Sequence, residues 1–175
     1  MPTLIKLQGG RMVLANDAFT HVDDDQSLPQ GDVIVSLTRF QADGERLLAE
    51  GRAVGVRLEP NEEAEALVYD LPRLALVALA FPKFRDGRQY SNARLLRERY
   101  GFQAEIRAVG DVLREQAGFM VRCGFDAFEP ADGSTPHQWA QAAGRFRHVY
   151  QRAADGRAPA FAEREAQSRG GGHAV

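Results

Sequence analysis

Short apolar runs alternate with amphipathic stretches along most of the chain. Strands that are buried on both faces of a parallel sheet read as continuous Val, Ile, Leu and Ala, and runs of this kind lie at 33–37, 53–58, 74–81, 104–109 and 125–128. Stretches that favour helix follow them, at 39–50, 61–71, 91–100, 111–122 and 136–150. Such alternation predicts parallel strands joined by right-handed crossovers. We therefore expect an α/β fold with about five βα units, centred on a core at 31–129.

The length of this region limits the kind of sheet that it can form. The five units occupy about 120 residues, whereas a closed eight-unit barrel takes roughly 250 residues. The parallel sheet is therefore expected to be either open and doubly wound or an incomplete TIM-like barrel.

The two ends of the chain have different patterns. Short runs at 4–7, 12–14 and 19–22, the first two separated by a Gly-Gly turn, predict a small β-hairpin or meander within 1–30. The segment 155–175 is polar and Gly-rich with little periodicity, which is typical of a mobile tail. We expect one domain over 1–154 that includes a helical C-terminal segment at 134–152.

The composition is that of a soluble globular protein, with 26% charged and 44% hydrophobic residues. The formal net charge of −2 gives no electrostatic case for nucleic acid or an anionic membrane as a partner. The sequence has no apolar run of about 18 residues and no signal peptide at its start, so we expect a cytoplasmic location. Cys123 is the only cysteine, which rules out an internal disulfide and an iron–sulfur cluster held by this chain's own thiolates.

Motifs for common cofactors are absent from the sequence. There is no GxGxxG after a strand, no GxxxxGK[ST], no GxSxG and no HExxH. The four histidines, at positions 21, 137, 148 and 173, lack the spacing of metal ligands. We expect neither a cofactor nor a metal site.

Basic residues are concentrated after the third and fourth predicted strands. Between residues 81 and 122 there are nine basic and five acidic residues, although the whole chain is slightly acidic. Ligands of open α/β proteins bind at the carboxyl ends of the strands, and guanidinium groups bind oxyanions bidentately. We therefore expect a pocket for a small anion or phosphate, formed by Lys83, Arg85, Asp86, Arg88, Tyr90, Ser91, Arg94 and Arg107.

Several of these residues have simpler interpretations. Asp86 and Arg88 can form a loop salt bridge, and Arg94, Arg97 and Arg99 can form a solvated helix face. The carboxylates that are candidates for catalysis are Asp86, Asp111 and Glu129, although Asp111 also suits the N-cap of a helix. Glu59 and Glu129 each end a strand, precede a proline and fall on the same edge of the sheet, where two carboxylates can do acid–base work or pair with arginines.

Residues 81–128 read FPKFRDGRQYSNARLLRERYGFQAEIRAVGDVLREQAGFMVRCGFDAF. The elements FPxFxDGRxYSxAR and RAxGDVLxxQ within them resemble a bacterial domain-of-unknown-function family, number nine hundred and thirty-four among such domains. The similarity extends over about residues 31–128. Members are commonly labelled probable oxidoreductases involved in sulfite reduction, and their genes lie beside those of assimilatory sulfite reductase. The resemblance therefore implies a role in sulfate assimilation and cysteine biosynthesis.

Sulfite reduction itself needs sirohaem and an iron–sulfur cluster, so one cysteine and no flavin or nicotinamide motif exclude a complete catalyst. We expect an accessory protein of assimilatory sulfate or sulfite reduction that binds a small oxyanion or phosphorylated intermediate, the sulfite reductase machinery, or both. The alternatives are a small enzyme of sulfur metabolism that uses carboxylates as acid and base, and a binding module without chemistry. Residues 136–150, with Trp139, Phe146 and Tyr150, are expected either to complete the chain's own core or to form a homodimer.

Overall fold

The strands that the apolar runs predict lie in one parallel sheet, in the order of the chain. The computed structural model describes residues 3–170. Its strands are β1 (Leu4–Gln8), β2 (Arg11–Ala15), β3 (Phe19–Val22), β4 (Asp32–Ser36), β5 (Val54–Leu58), β6 (Leu76–Phe81), β7 (Glu105–Gly110) and β8 (Ala127–Phe128). They form one sheet in the order β2-β1-β8-β7-β6-β5-β4-β3. From β3 to β8 all neighbours are parallel, whereas β1 is antiparallel to both β8 and β2.

Three of the helices lie between successive strands, and two follow the last strand. They are α1 (Leu37–Ala49), α2 (Arg88–Arg94), α3 (Ala117–Cys123), α4 (Pro136–Ala143) and α5 (Ala160–Gly170). A π-helical turn, Leu95–Arg99, continues α2, and short 3₁₀ turns lie at Ala64–Leu67, Leu71–Arg73 and Arg114–Gln116. Within residues 3–170, no helix combines the length and the apolar character needed to cross a bilayer.

The sheet is strongly curled. Its two edge strands, β2 and β3, are separated by six other strands in the sheet but by only Asn16, Asp17 and Ala18 in the chain. Strands are spaced about 4.8 Å apart, so a flat sheet of this size would hold its edges roughly 33 Å apart. The four peptide steps from Ala15 to Phe19 reach at most about 14 Å. The sheet therefore forms an incomplete barrel, in contrast to a doubly wound sheet, whose strand order reverses at a switch point.

The main hydrophobic core lies between this sheet and the helices. Alternate residues of the strands, such as Val56 in β5, Leu79 in β6 and Ile106 in β7, are fully buried against the helices, together with Leu96 and Trp139. The opposite face, which we call the inner face, has a smaller apolar cluster made of Ile34, Leu76, Ala78, Ala80 and Val109. Polar residues of the same face, among them His21, Arg57 and Arg107, belong to the candidate site.

The prediction of an α/β fold with an N-terminal hairpin is confirmed, but two predicted elements differ from the structure. Strand β3 is not part of an N-terminal meander, because it pairs in parallel with β4. The helix expected at 61–71 is replaced by two 3₁₀ turns. Pro72 has no N–H with which to continue an α-helix, and Asn92 Oδ1 accepts a hydrogen bond from the Ala64 N–H at the start of the first 3₁₀ turn.

The C-terminal third also departs from the predicted pattern. The helix expected over 136–150 ends at Ala143. Trp139, within this helix, is buried, whereas Phe146 and Tyr150, which lie beyond its end, are 71% and 91% exposed. Part of the segment predicted as a mobile tail forms α5. Residues 171–175 of that segment lie outside the described residues.

Candidate functional site

A pocket of about 370 Å³ opens where the parallel strands end, and we call it the mouth pocket. Its polar lining consists of His21, Arg57, Glu59 and Glu129. Its remaining lining residues are Ala80, Phe81, Pro82, Val109 and Gly110. The carboxyl ends of parallel strands are the usual position of ligand sites in α/β folds and barrels.

Strand alternation and chain breaks place these polar groups. Arg57 takes an inner-face position of β5, and Glu59 and Glu129 follow β5 and β8 directly, each before a proline. Gly110 has a φ of +96°, and a Cβ there would lie 2.5 Å from the carbonyl oxygen of Phe81. Only glycine fits this position at the end of β7.

Beneath the mouth pocket, Arg107 lies in the interior of the incomplete barrel with no solvent exposure. Four hydrogen bonds occupy its guanidinium. Nε donates to Glu105 Oε1 at 2.6 Å, and Nη1 donates to Asp17 Oδ2 at 2.7 Å and to Glu129 Oε1 at 2.9 Å. Nη2 donates to Asp17 Oδ1 at 3.1 Å. Burial by itself would lower the pKa of Arg107, but the three carboxylates outweigh burial and raise the pKa.

These contacts change the interpretation of Arg107. The residue pairs with Ala78 in the middle of β6, and the strands end three residues later, at Phe81 and Gly110. Its side chain therefore holds three carboxylates inside the protein, and it does not meet Arg85 at the strand ends.

His21 extends this buried network to the mouth pocket. Its Nε2 lies 2.9 Å from Glu129 Oε1, the same oxygen that accepts from Arg107. The His21 side chain is 28% exposed, and its Nδ1 has no hydrogen-bond partner among the described residues. The order Arg107, Glu129, His21 thus runs from the interior to the pocket, and the fixed carboxylate orients the imidazole.

Arg57 differs from Arg107 in having uncommitted donors. Its Nε lies 3.1 Å from Glu59 Oε1, but the N–H does not point at that oxygen, and this buried atom has no hydrogen-bond partner in the described chain. Its Nη1 is 3.9 Å from Asp23 Oδ1, too far for a hydrogen bond. A guanidinium with free N–H groups beside a pocket is suited to binding an oxyanion.

The loop 82–87, which carries several of the predicted residues, lies next to the mouth pocket. Asp111 Oδ2 accepts from the Phe84 N–H at 2.8 Å, so Asp111 holds this loop and is not the N-cap of a helix. Lys83 and Arg85 are exposed. Asp86 and Arg88 form a bidentate pair with contacts of 3.0 and 2.6 Å, and these hydrogen bonds lower the pKa of Asp86.

Tyr90, Ser91 and Arg94 lie on α2, where they border a different cavity of about 230 Å³. Arg94 pairs with Glu98 on the helix surface, at 2.9 Å. The ring of Tyr90 packs edge-on against Phe119 with the centroids 4.7 Å apart, and burial raises its pKa to about 12. The predicted anion-binding residues are thus divided among the loop beside the mouth pocket, the surface of α2 and the barrel interior.

Two residues of the mouth pocket, His21 and Arg57, were absent from the predicted site. Arg57 is the one charged residue in the apolar sequence VGVRL, and His21 follows Thr20 between two apolar residues in FTHV. These polar positions are the only local signal. Their proximity to Glu129 depends on the curl of the sheet, since His21 and Glu129 are 108 residues apart in the chain.

A second large cavity, about 600 Å³, lies on the outside between α3, α4 and residues 145–157, and we call it the basic groove. Phe119 and Phe146 provide exposed apolar surface in it. The arginines that line it are Arg114, Arg122, Arg145 and Arg157, and Glu115 is its one acidic lining residue.

In the described part of the chain, no group of three or more His, Cys, Asp or Glu residues is arranged to hold a metal ion. The model of the family described as "Bacterial protein of unknown function (DUF934)" matches residues 55–161. No curated protein matches the sequence.

Proposed function

The chain belongs to this bacterial family of unknown function, and we propose that it is an accessory protein of assimilatory sulfite reduction that binds a small oxyanion in the mouth pocket. The pathway follows from the label that members of the family carry. The ligand class follows from one observation, the guanidinium of Arg57, which is paired with Glu59 but makes no hydrogen bond within the described chain and lies in a pocket at the carboxyl ends of the strands.

The size of the pocket supports a small ligand. Sites for small molecules commonly have volumes of about 300–1,000 Å³, and the mouth pocket has about 370 Å³. Sulfite or sulfate fits with room to spare, and a phosphorylated intermediate also fits. The exposed cations Lys83 and Arg85, on the adjacent loop, would attract such anions to the opening.

An accessory role also needs a surface for a partner. The basic groove combines exposed aromatic rings with arginines, and residues 133–154 contain three arginines and no acidic residue. An acidic surface of a pathway protein such as sulfite reductase would complement it. In a two-fold contact between copies, the arginines of one groove would approach those of the other. A homodimer through residues 136–150 stays a prediction.

A second candidate function is catalysis by this chain. The observation that favours it is the contact between His21 and Glu129 in the mouth pocket, since a histidine oriented by a carboxylate is a common general acid or base. Turnover of a sulfur compound by the purified protein would support the enzyme. Stimulation of sulfite reductase without independent turnover would support the accessory role.

The proposed ligand class is tested by calorimetric titration of the purified protein with sulfite, sulfate and phosphate. The wild type is expected to bind at least one of them, and Arg57→Gln to lose roughly ten- to a hundredfold in affinity, the effect of one charge-assisted contact. Arg46→Gln is the matched control, because Arg46 is an exposed arginine of α1 that pairs only with Asp43 and Glu50. Absence of binding by the wild type, or equal affinity in both variants, would contradict the proposal.

The pathway is tested by deleting the gene in a bacterium that carries it. Growth on sulfate or sulfite as sole sulfur source is expected to fail, and cysteine or sulfide is expected to restore it. Unchanged growth on every sulfur source would remove the pathway assignment and leave the ligand to be judged by calorimetry alone.

A further inference from the structure

We propose that the mouth pocket binds its oxyanion together with a proton, and that His21 is the residue that takes up this proton. The inference rests on the proposed function, because it concerns the same pocket and ligand class. It adds a role for a residue that neither the sequence motifs nor the family match assigns.

The charged groups around His21 carry a net negative charge. In the buried cluster, Arg107 and Lys6 face the three carboxylates of Asp17, Glu105 and Glu129, so the net charge is −1 while His21 is neutral. In the pocket itself, Arg57 is balanced by Glu59, and Asp23 adds a negative charge at the edge. Among the described residues, these are the titratable groups that contact the network or line the pocket.

An oxyanion bound on Arg57 would increase this negative charge. In a partly buried site, like charges a few ångströms apart repel strongly, because the effective dielectric constant is far below that of water. Protonation of His21 is the change that restores the balance, since Glu59 and Glu129 would otherwise face the ligand with no added cation.

The contact with Glu129 determines which ring nitrogen of His21 is available to a ligand. Glu129 Oε1, held by Arg107, lies 2.9 Å from His21 Nε2, which favours the tautomer with its hydrogen on Nε2. In that neutral form Nδ1 carries a lone pair, which repels an oxyanion. In the protonated form both ring nitrogens are donors, so Nδ1–H can donate to the ligand while Nε2–H stays on Glu129.

The uptake of this proton needs no reagent other than the solvent. One proton moves from the solvent to Nδ1 of His21 when the anion enters the pocket, and it returns to the solvent when the anion leaves. No covalent bond to the ligand forms or breaks. Binding therefore leaves an acidic N–H group beside the oxyanion.

The test is calorimetric titration at about pH 8, where an ordinary histidine is neutral, in buffers with different ionisation enthalpies. The probe is whichever of sulfite, sulfate and phosphate the wild type binds. The heat is expected to depend on the buffer in proportion to the uptake of close to one proton per anion beyond that of His21→Gln. Subtracting the variant removes any proton that the anion itself takes up.

His148→Gln is the matched control, because His148 also contacts a carboxylate, with its Nδ1 2.8 Å from Glu163 Oε2, but lies outside the pocket. It is expected to keep the proton uptake of the wild type. A second measurement needs no variant: the affinity of the wild type for sulfate, or for the anion that binds if sulfate does not, is expected to fall by up to about tenfold per pH unit as the pH rises above the ordinary range of a histidine.

The outcomes separate the two proposals. No binding of any of the three anions removes the proposed function and this inference with it. Binding without proton uptake, or with the same uptake in His21→Gln as in the wild type, overturns the role of His21 and leaves the oxyanion site intact. If His21→Gln does not fold, the pH dependence of the wild-type affinity decides, and a flat profile overturns the inference.

Discussion

Arg107 and Glu129 form an ion pair in the interior of the incomplete barrel, with Nη1 2.9 Å from Oε1 and the arginine fully buried. The pair is not isolated, because Asp17 and Glu105 also accept from Arg107. Asp17 lies on the three-residue link between β2 and β3, so Arg107 ties the two edges of the curled sheet to its centre. Glu129 also contacts His21, and this contact connects the buried network of the barrel to the mouth pocket.

Arg107→Met is expected to lower the free energy of unfolding by about 3–5 kcal/mol, because it leaves buried carboxylates without their shared cation. The measurement is urea unfolding at neutral pH. Arg57→Met is the control, since Arg57 lies on the same face without a hydrogen bond, and its effect is expected to stay under about 1 kcal/mol. Wild-type stability in Arg107→Met would show that the buried network contributes little.

Arg97 is a structural residue, and the expectation of a solvated helix face is wrong for it. Its guanidinium donates to the carbonyl oxygens of Phe102, Ala104 and Gly124 at 2.6–2.9 Å and to Asp126 Oδ2 at 2.8 Å. These contacts join the π-helical turn to the loops before β7 and β8.

Arg97→Ala is expected to lower the free energy of unfolding by at least about 2 kcal/mol, because it leaves partly buried acceptors without donors. Arg99→Ala is the control. Arg99 is exposed and stacks only on the neighbouring Tyr100 ring, at 5.7 Å, so a change of less than about 0.5 kcal/mol is expected. Equal midpoints of urea unfolding in the two variants would contradict this assignment.

The parallel strands were predictable because they are buried on both faces. The run at 74–81, for example, corresponds to β6, in which all six residues are buried. Strand β3 was not predictable as a parallel strand, because the short sequence FTHV lacks the continuous apolar run of the other parallel strands and directly follows the hairpin. Its pairing with β4 depends on a sheet curled enough for a three-residue link to connect its edges, and no local pattern encodes that curl.

The candidate site was predictable only in its position at the strand ends. Glu59 and Glu129 follow strands directly, and both line the mouth pocket. His21 and Arg57 depend on which face each strand position takes and on pairings over long distances in the chain. Arg107 resembles a strand-end arginine in sequence, but the inner face of this sheet is closed around it.

Tyr90 is expected to make the protein less stable at alkaline pH. Burial raises its pKa to about 12, above the value of about 10 in an unfolded chain. The stability that this shift contributes is present below pH 10 and is lost as the pH rises from about 10 to about 12. Urea unfolding of the wild type and Tyr90→Phe at about pH 9 and about pH 11 measures the loss, which is expected to be smaller in the variant. An equal loss in both proteins would assign it to other groups.

The loop arginines provide a test of the outer part of the proposed site. An Arg85→Ala, Arg88→Ala double variant is expected to stay folded, since Arg85 is exposed and Arg88 pairs only with Asp86. Its affinity for the oxyanion is expected to fall at least about tenfold if either arginine contacts the ligand, and growth on sulfite is expected to fall with it. Arg94→Ala on α2 is the control. A folded double variant that restores growth fully would confine the anion site to Arg57 and His21.

The basic groove is expected to bind an acidic surface of another protein of the pathway. Phe146, 71% exposed, is an apolar residue available for such a contact, and Arg145 beside it provides charge. Phe146→Ser and Arg145→Glu are each expected to weaken binding to purified sulfite reductase by about tenfold or more, as anchors of an interface do, and the binding is expected to weaken as salt rises. Leu14→Ser, at an exposed position of β2, is the control. Light scattering at micromolar concentration tests the other occupant: a wild-type dimer that becomes a monomer in Phe146→Ser would assign the groove to a second copy of this chain.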